Sequence, residues 1–252
     1  MDTYCLLQTE LDQPIGINDL EEAADATVEI ARLDCLGIYR DIHGVIVAGL
    51  SHADALAFQR VLAGRGIATI VLADEDLPVL HSSYQVQRID RDGDTLLLTD
   101  AMGQVRELPV DALVFLAAGF FGKVEFKQSW DLRVDVDSSG ESKVVPVRKA
   151  WEEVELIFRL DLFASREPHR LNLTLTKGSA LFHQGERVRL RDREGVAAFM
   201  TAMAGLLPEE RLNSQLRHPD QAHVLRSQHL YENEIRWHFE RFIAADRTQR
   251  SG

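Results

Sequence analysis

The sequence predicts an α+β protein with an N-terminal βαββαβ unit and a second, mostly antiparallel β unit followed by helices. Residues 4–72 combine β-branched runs with helical apolar stripes, whereas residues 84–182 consist of short period-two runs separated by turn residues. The 252-residue chain is 45% apolar, which is enough for two buried cores. We therefore predict domains at residues 1–80 and 83–206 and a helical extension at 207–252.

Four segments of the first domain favour strands: residues 4–8 form a short apolar run, residues 36–42 alternate between apolar and polar, and residues 45–47 and 67–72 are rich in β-branched side chains. Gly44 fits a tight turn between the middle two strands, since glycine accepts positive φ at little cost. Asn18 and Ser51 are predicted N-caps of two helices, because their side chains can accept from a free N–H of the first turn.

The βαββαβ order is that of the ferredoxin-like fold, and within it the domain resembles the small ACT-type regulatory modules. Their first loop commonly reads acid, any residue, Pro, Gly and an apolar residue. Asp12-Gln13-Pro14 matches this loop, whereas Ile15 stands before Gly16 and departs from the pattern. The resemblance implies a regulatory domain, and Ile15 argues against an amino-acid ligand at this loop.

The second domain is predicted from a succession of strands followed by one helix capped by Asp192. The most apolar run, residues 112–121, should lie in the centre and be covered on both faces. The predicted strands cover residues 85–90, 95–99, 104–108, 112–121, 153–163, 171–175 and 181–182.

Seven strands followed by an amphipathic helix is the element order of a pleckstrin-homology-like (PH-like) barrel. The step Leu-Pro-Val-Asp-Ala-Leu at residues 108–113 is similar to one in bacterial members of that class. The resemblance implies two near-orthogonal sheets whose open end is plugged by the helix, and it implies no conserved site. A lipocalin-like barrel is the alternative, although it calls for more and longer strands.

Two segments offer surfaces for a partner. Residues 123–149 are interpreted as a long loop with a short strand at 143–147, and loops of that length are commonly functional or disordered. Residues 221–245 are interpreted as one amphipathic helix that docks either on its own chain or on a second copy. The candidate partner-binding residues are the large apolar side chains of these segments: Phe126, Trp130, Trp151, Tyr231, Ile235, Phe239 and Phe242.

Charge argues against nucleic acid as a partner. The formal net charge is −12, and residues 1–80 hold four arginines against fourteen acidic residues. Such a surface repels phosphate.

Cys5 and Cys35 have no metal-ligand or redox spacing, so buried, reduced thiols are expected. No stretch is long and apolar enough for a membrane span, and the first residues lack a basic leader, so we expect a cytoplasmic protein.

No catalytic constellation emerges from the sequence. G-x-S-x-G, H-E-x-x-H and phosphate-binding glycine loops do not occur. The tail histidines His218, His223, His229 and His238 are not spaced to share one helix face, so no metal or cofactor is predicted. We expect a non-enzymatic binding or regulatory protein. A small-ligand sensor or an enzyme with its pocket between the two domains is the alternative.

Overall fold

The computed structural model describes residues 2–80, 82–136, 142–166 and 169–243, and for residues 135, 136, 143, 242 and 243 it describes the backbone only. Over these residues the protein has the predicted α+β class. The strands form one three-stranded and two five-stranded sheets. No helix of the described part is long and apolar enough to cross a membrane.

The N-terminal part forms an antiparallel sheet in the order β2-β1-β3, with helices packed on it. Its core includes Leu6, Leu20, Phe58 and Leu62, all wholly buried. The elements are β1 (Tyr4–Gln8), α1 (Ile17–Asp25), α2 (Cys35–Asp41), β2 (Val45–Leu50), α3 (His52–Gly64) and β3 (Thr69–Ala73).

The predicted strand at residues 36–42 is wrong, because this segment is helix α2 and the sheet therefore has three strands instead of four. The apolar residues that enter the core are Cys35, Ile38 and Ile42, whose spacing is helical. Leu36, which completes the apparent alternation, is exposed. The βαββαβ order is thus interrupted at its second strand.

The N-cap predicted for α3 is confirmed. Ser51 Oγ accepts a hydrogen bond from the Asp54 N–H at 3.2 Å. Asp54 Oδ2 also accepts from the N–H groups of Val28 and Glu29, at 3.1 and 3.0 Å. The first turn of α3 therefore fixes the segment that follows α1.

The remaining strands form two sheets, in the orders β13-β8-β9-β10-β4 and β12-β11-β5-β6-β7, and among the described residues they do not close into a barrel. Helix α4 packs against the core between them, capped as predicted by Asp192, which accepts from Gly195 N–H at 3.0 Å. The elements are β4 (Tyr84–Val86), β5 (Arg88–Asp92), β6 (Thr95–Thr99), β7 (Val105–Pro109), β8 (Leu113–Val136), β9 (Ser142–Ala164), β10 (Arg170–Leu175), β11 (Leu181–His183), β12 (Glu186–Val188), α4 (Arg193–Ala204), α5 (Ser214–Arg217), β13 (Val224–Leu225) and α6 (Gln228–His238).

The long loop predicted at residues 123–149 is also wrong. Strands β8 and β9 continue through this segment and pair without a break from Phe115↔Phe163 to Val136↔Ser142. Its connecting residues 137–141, which include Ser138-Ser139-Gly140, lie outside the described residues. The run at 112–121 is central, as predicted, but it is only the first half of a far longer strand.

The tail does not form one helix over residues 221–245. The short strand β13 first pairs with β8, then α6 begins at Gln228 with Ser227 as its N-cap, and a π-helical turn spans Phe239–Ile243. Helix α6 docks on its own chain. Tyr231 and Ile235 pack on β8 and β9, while Trp237 packs on Leu7 and Val45 of the N-terminal sheet.

Candidate interaction surface on the β-arm

Strands β8 and β9 extend beyond the sheet as a two-stranded ribbon, which we call the β-arm (residues 123–136 and 142–155). Strand β13 pairs with β8 only as far as Phe121, and strand β10 pairs with β9 only from Phe158 onward. Beyond these points the described strands pair only with each other. The ribbon is about 45 Å long at about 3.4 Å per residue.

One face of the β-arm is mostly apolar and exposed, with Gln128, Arg148 and Glu152 as its larger polar members. Directly paired residues share a face, so the even-numbered residues of both strands lie together. Phe126, Trp130 and Leu132 are 75%, 70% and 71% exposed. Val124, Val134, Val144 and Val154 lie exposed beside them. We call this surface the apolar face.

The opposite face of the β-arm carries mostly charged residues. Lys127 pairs with Glu153, and Lys149 Nζ lies 2.5 Å from Asp131 Oδ2. Hydrogen bonds in these pairs raise the pKa of Lys127 and lower the pKa values of Glu153 and Asp131. These groups are exposed, so each pair contributes little to stability. The opposite face is therefore suited to contact with water.

The two faces of β8 change differently in residue character beyond Phe121, where the β-arm begins. Before that point, Leu116 and Ala118 of β8 face the core beneath the second sheet, and Phe115 and Ala117 face α6. Beyond Phe121 the side that faced α6 becomes charged, as expected for a surface that has lost its cover. The other side keeps its apolar residues although nothing in the described chain covers them.

The sequence-predicted candidates on the arm separate between these faces. Phe126 and Trp130 lie on the apolar face, four residues apart on β8. Trp151 pairs with Lys127 on the opposite face and is 46% exposed. Sequence reasoning missed the other apolar residues of this face, which are Val124, Leu132, Val134, Val144 and Val154. The period-two alternation from Val124 to Val134 indicates those on β8.

The candidates in the tail do not lie on an open surface. Tyr231 and Ile235 are wholly buried against the sheet, because the apolar stripe of α6 is used within the chain. Phe239 is half-buried, with its ring centroid 4.8 Å from that of Phe163. The side chain of Phe242 lies outside the described residues.

A buried polar cluster anchors α6 to the sheet. Tyr231 Oη lies 2.8 Å from Asp161 Oδ2 and 2.9 Å from the Ala117 carbonyl oxygen. Arg170 Nε donates to Asp161 Oδ1 at 2.9 Å, and Arg159 Nε lies 2.8 Å from Oδ2. Burial and the Asp161 charge raise the pKa of Tyr231. The phenol therefore stays protonated and holds the helix in place.

A second buried carboxylate joins α6 to the N-terminal part and to the segment at residues 213–214. Glu234 accepts from the Ser214 N–H at 2.7 Å and from Asn213 Nδ2 at 3.1 Å, and His43 Nε2 lies 3.3 Å away. Burial acts to raise the pKa of Glu234, but contacts with His238, His43 and Ser214 outweigh it and lower the pKa well below its ordinary value. Glu234 is thus a charged structural group and not a proton carrier at neutral pH.

A cleft of about 470 Å³ lies between the N-terminal part and the C-terminal tail. The loop at residues 11–15 forms one wall, and residues 223–226 of the tail form another. Tyr39, Arg40 and His43 also line it. The loop at residues 11–15 therefore borders a cleft with several polar groups.

Among the described residues, no group of three or more His, Cys, Asp or Glu side chains is arranged to hold a metal ion. No family model matches this chain, and neither a curated protein nor a solved structure matches it. The fold and the β-arm define the class: an α+β protein with a projecting two-stranded arm that is apolar on one face.

Proposed function

We propose that this protein is a non-enzymatic binding protein whose protein partner docks on the apolar face of the β-arm. The observation that carries the proposal is the row of exposed large apolar side chains on one face, among them Phe126, Trp130 and Leu132. The face covers roughly 300 Å² in projection, from about 34 Å of strand and a ribbon about 10 Å wide. Exposed patches of this size that are largely apolar are often functional.

The charge of the arm supports a protein partner over a polyanion. The described side chains of the arm include five cations and five anions: Lys123, Lys127, Arg133, Arg148 and Lys149, with Glu125, Asp131, Glu152, Glu153 and Glu155. The whole chain has a net charge of −12. Neither the balanced charge of the arm nor the negative charge of the chain favours binding to phosphate groups. Exposed aromatic side chains such as Phe126 and Trp130 are, in contrast, typical of protein interfaces.

The proposal includes a cytoplasmic location. Cys5 and Cys35 are both buried and unpaired. Free thiols are typical of reducing compartments, because oxidising ones favour disulfides.

Site-specific photo-crosslinking in the native host tests the proposal. A photoreactive phenylalanine analogue replaces Phe126 on the apolar face, and a matched protein carries it at Lys127, the next residue on the opposite face. We expect a discrete crosslinked protein species from position 126 and at most a trace from position 127. Equal crosslinking from both positions, or crosslinks to lipid only, would contradict the proposal.

A second candidate function is binding of a small ligand in the cleft between the N-terminal part and the tail, supported by the polar groups that line it. Thermal unfolding with a panel of small polar organic molecules, including carboxylic acids, amines and sugars, tests it. We expect one of them to raise the Tm of the wild type by a few degrees, with the shift lost in Tyr39→Ala. Leu36→Ala is the control, because Leu36 is exposed on the same helix and does not line the cleft. No shift with any member of the panel would contradict this candidate.

A further inference from the structure

The pattern of side chains on the apolar face indicates its occupant, and we propose that a second copy of this chain packs on it, arm against arm and in reversed direction. The inference rests on the proposed function, because it names the partner of the same face. It differs from self-association through the tail, whose apolar stripe is already buried in its own chain.

The apolar face is symmetric in character about the cross-strand pair Gln128↔Ala150. On β8, the aromatic residues Phe126 and Trp130 stand two residues to either side of Gln128. On β9, the charged residues Arg148 and Glu152 stand two residues to either side of Ala150. One cation and one anion therefore lie equally far from the middle of the face.

We place a two-fold axis at this pair, in the plane of the interface and perpendicular to the strands. This axis brings aromatic residues opposite aromatic residues and a cation opposite an anion. Such an axis lays β8 on β8 and β9 on β9 with their directions reversed. Trp130 then lies opposite Phe126 of the partner subunit, and Arg148 lies opposite Glu152 of the partner subunit. Isologous contacts of this kind are the commonest arrangement in homodimers.

The two charged groups restrict what can cover the face. Glu152 has no ion-pair partner among the described residues, and Arg148 donates to the neutral amide of Gln128. Covering them with a purely apolar surface would bury unpaired charges, which is costly. A reversed second copy supplies the opposite charge at both positions.

The geometry also agrees with sheet packing. Two twisted ribbons can stack face to face about 10 Å apart with their strands nearly aligned, and side chains from both inner faces interdigitate. The face is at the small end of protein interfaces, so we expect a Kd in the micromolar range.

Sedimentation velocity on the full chain, from about 1 μM to about 1 mM, tests the inference. We expect a concentration-dependent monomer–dimer equilibrium. Trp130→Ser on the apolar face should weaken the dimer at least about tenfold, the equivalent of about 1.4 kcal/mol. Trp151→Ser is the matched control on the opposite face and should leave the Kd within about threefold. Both side chains are exposed, and circular dichroism verifies that each variant is folded.

Charge reversal tests the direction of packing. Arg148→Glu and Glu152→Arg should each weaken the dimer, since each places like charges opposite one another twice per dimer. The double variant R148E/E152R should restore the wild-type Kd to within about threefold. A structural effect within one subunit would not produce this rescue, because the two residues do not pair with each other.

A monomer at every concentration would overturn the inference, as would a dimer that Trp130→Ser leaves unchanged or charge-reversed single variants without effect. If the purified chain is monomeric while position 126 still crosslinks to another protein, the proposed function stands and only the second copy is wrong. If the monomer instead binds neutral phosphatidylcholine vesicles through Trp130, a membrane surface is the occupant and both proposals fail.

Discussion

A Cβ atom placed on Gly44 would lie 2.6 Å from the Cβ of Trp237. This close approach joins the N-terminal part of the chain to α6. Gly44 also has a φ of +81°, which non-glycine residues rarely adopt. The contact continues in the hydrogen bond from Trp237 Nε1 to the Gln8 carbonyl oxygen, at 2.6 Å. The N-terminal part and the tail therefore meet where the Gly44 backbone contacts the Trp237 ring.

We predict that Gly44→Ala lowers the free energy of unfolding by about 2–4 kcal/mol, from backbone strain and overpacking together. Gly49→Ala is the matched control, because Gly49 has a φ of +84° but no neighbour within 4 Å of the added Cβ. Gly49→Ala should lower the free energy of unfolding by about 1 kcal/mol, through backbone strain alone. Urea unfolding measures both, and equal losses would contradict the role assigned to Trp237.

Tyr231→Phe should destabilise the protein by about 1–3 kcal/mol, because it removes a hydrogen-bond donor from the buried Asp161. Tyr39→Phe, on a half-exposed tyrosine, should change stability by less than about 0.5 kcal/mol. Chemical denaturation of both variants measures the difference. If Tyr231→Phe is as stable as wild type, the cluster around Asp161 does not anchor α6.

Glu234 should make stability depend on pH in the acid range. Its pKa is lower in the folded chain than its ordinary value of 4.5, so the carboxylate stabilises the fold above that value and loses this contribution as the pH falls below it. We predict that unfolding free energy decreases more steeply for wild type than for Glu234→Gln between about pH 5 and about pH 3. Parallel curves would show that Glu234 is not a stabilising charge.

The two thiols should be inert in the folded protein. Burial, followed by the nearby Asp74 charge, raises the pKa of Cys5 to about 12, and burial raises the pKa of Cys35. Since the thiolate is the reactive form, a disulfide reagent should label neither residue at pH 8 under native conditions and both in guanidinium. Rapid native labelling of Cys5 would contradict its burial.

Elements with local signals could be predicted from the sequence. Ser51 and Asp192 cap helices as their spacing indicates, and the run at residues 112–121 is covered on both faces. Residues 36–42 fit a strand and a helix equally, because Cys35, Ile38 and Ile42 also have helical spacing. Packing on the N-terminal core selects the helix, and that packing is not a local property.

The β-arm could not be predicted on the usual assumption that apolar residues are covered. Its alternation from Val124 to Val134 is visible in the sequence, but the intervening charges Lys127, Asp131 and Arg133 favour a solvated loop. Nor could the site of tail docking be predicted, since the apolar stripe of a helix does not specify its partner. Trp237, which meets Gly44, lies outside the predicted stripe.

The central claim is that the apolar face is open in the isolated chain and available to a partner. Acrylamide quenching of Trp130 fluorescence tests it most directly, in a W151F/W237F background measured at low concentration, with circular dichroism to verify the fold. We predict quenching close to that of free indole, as expected for a side chain that is 70% exposed. Strong protection of Trp130 in the monomer would show that the arm folds back on its own chain and would contradict the account.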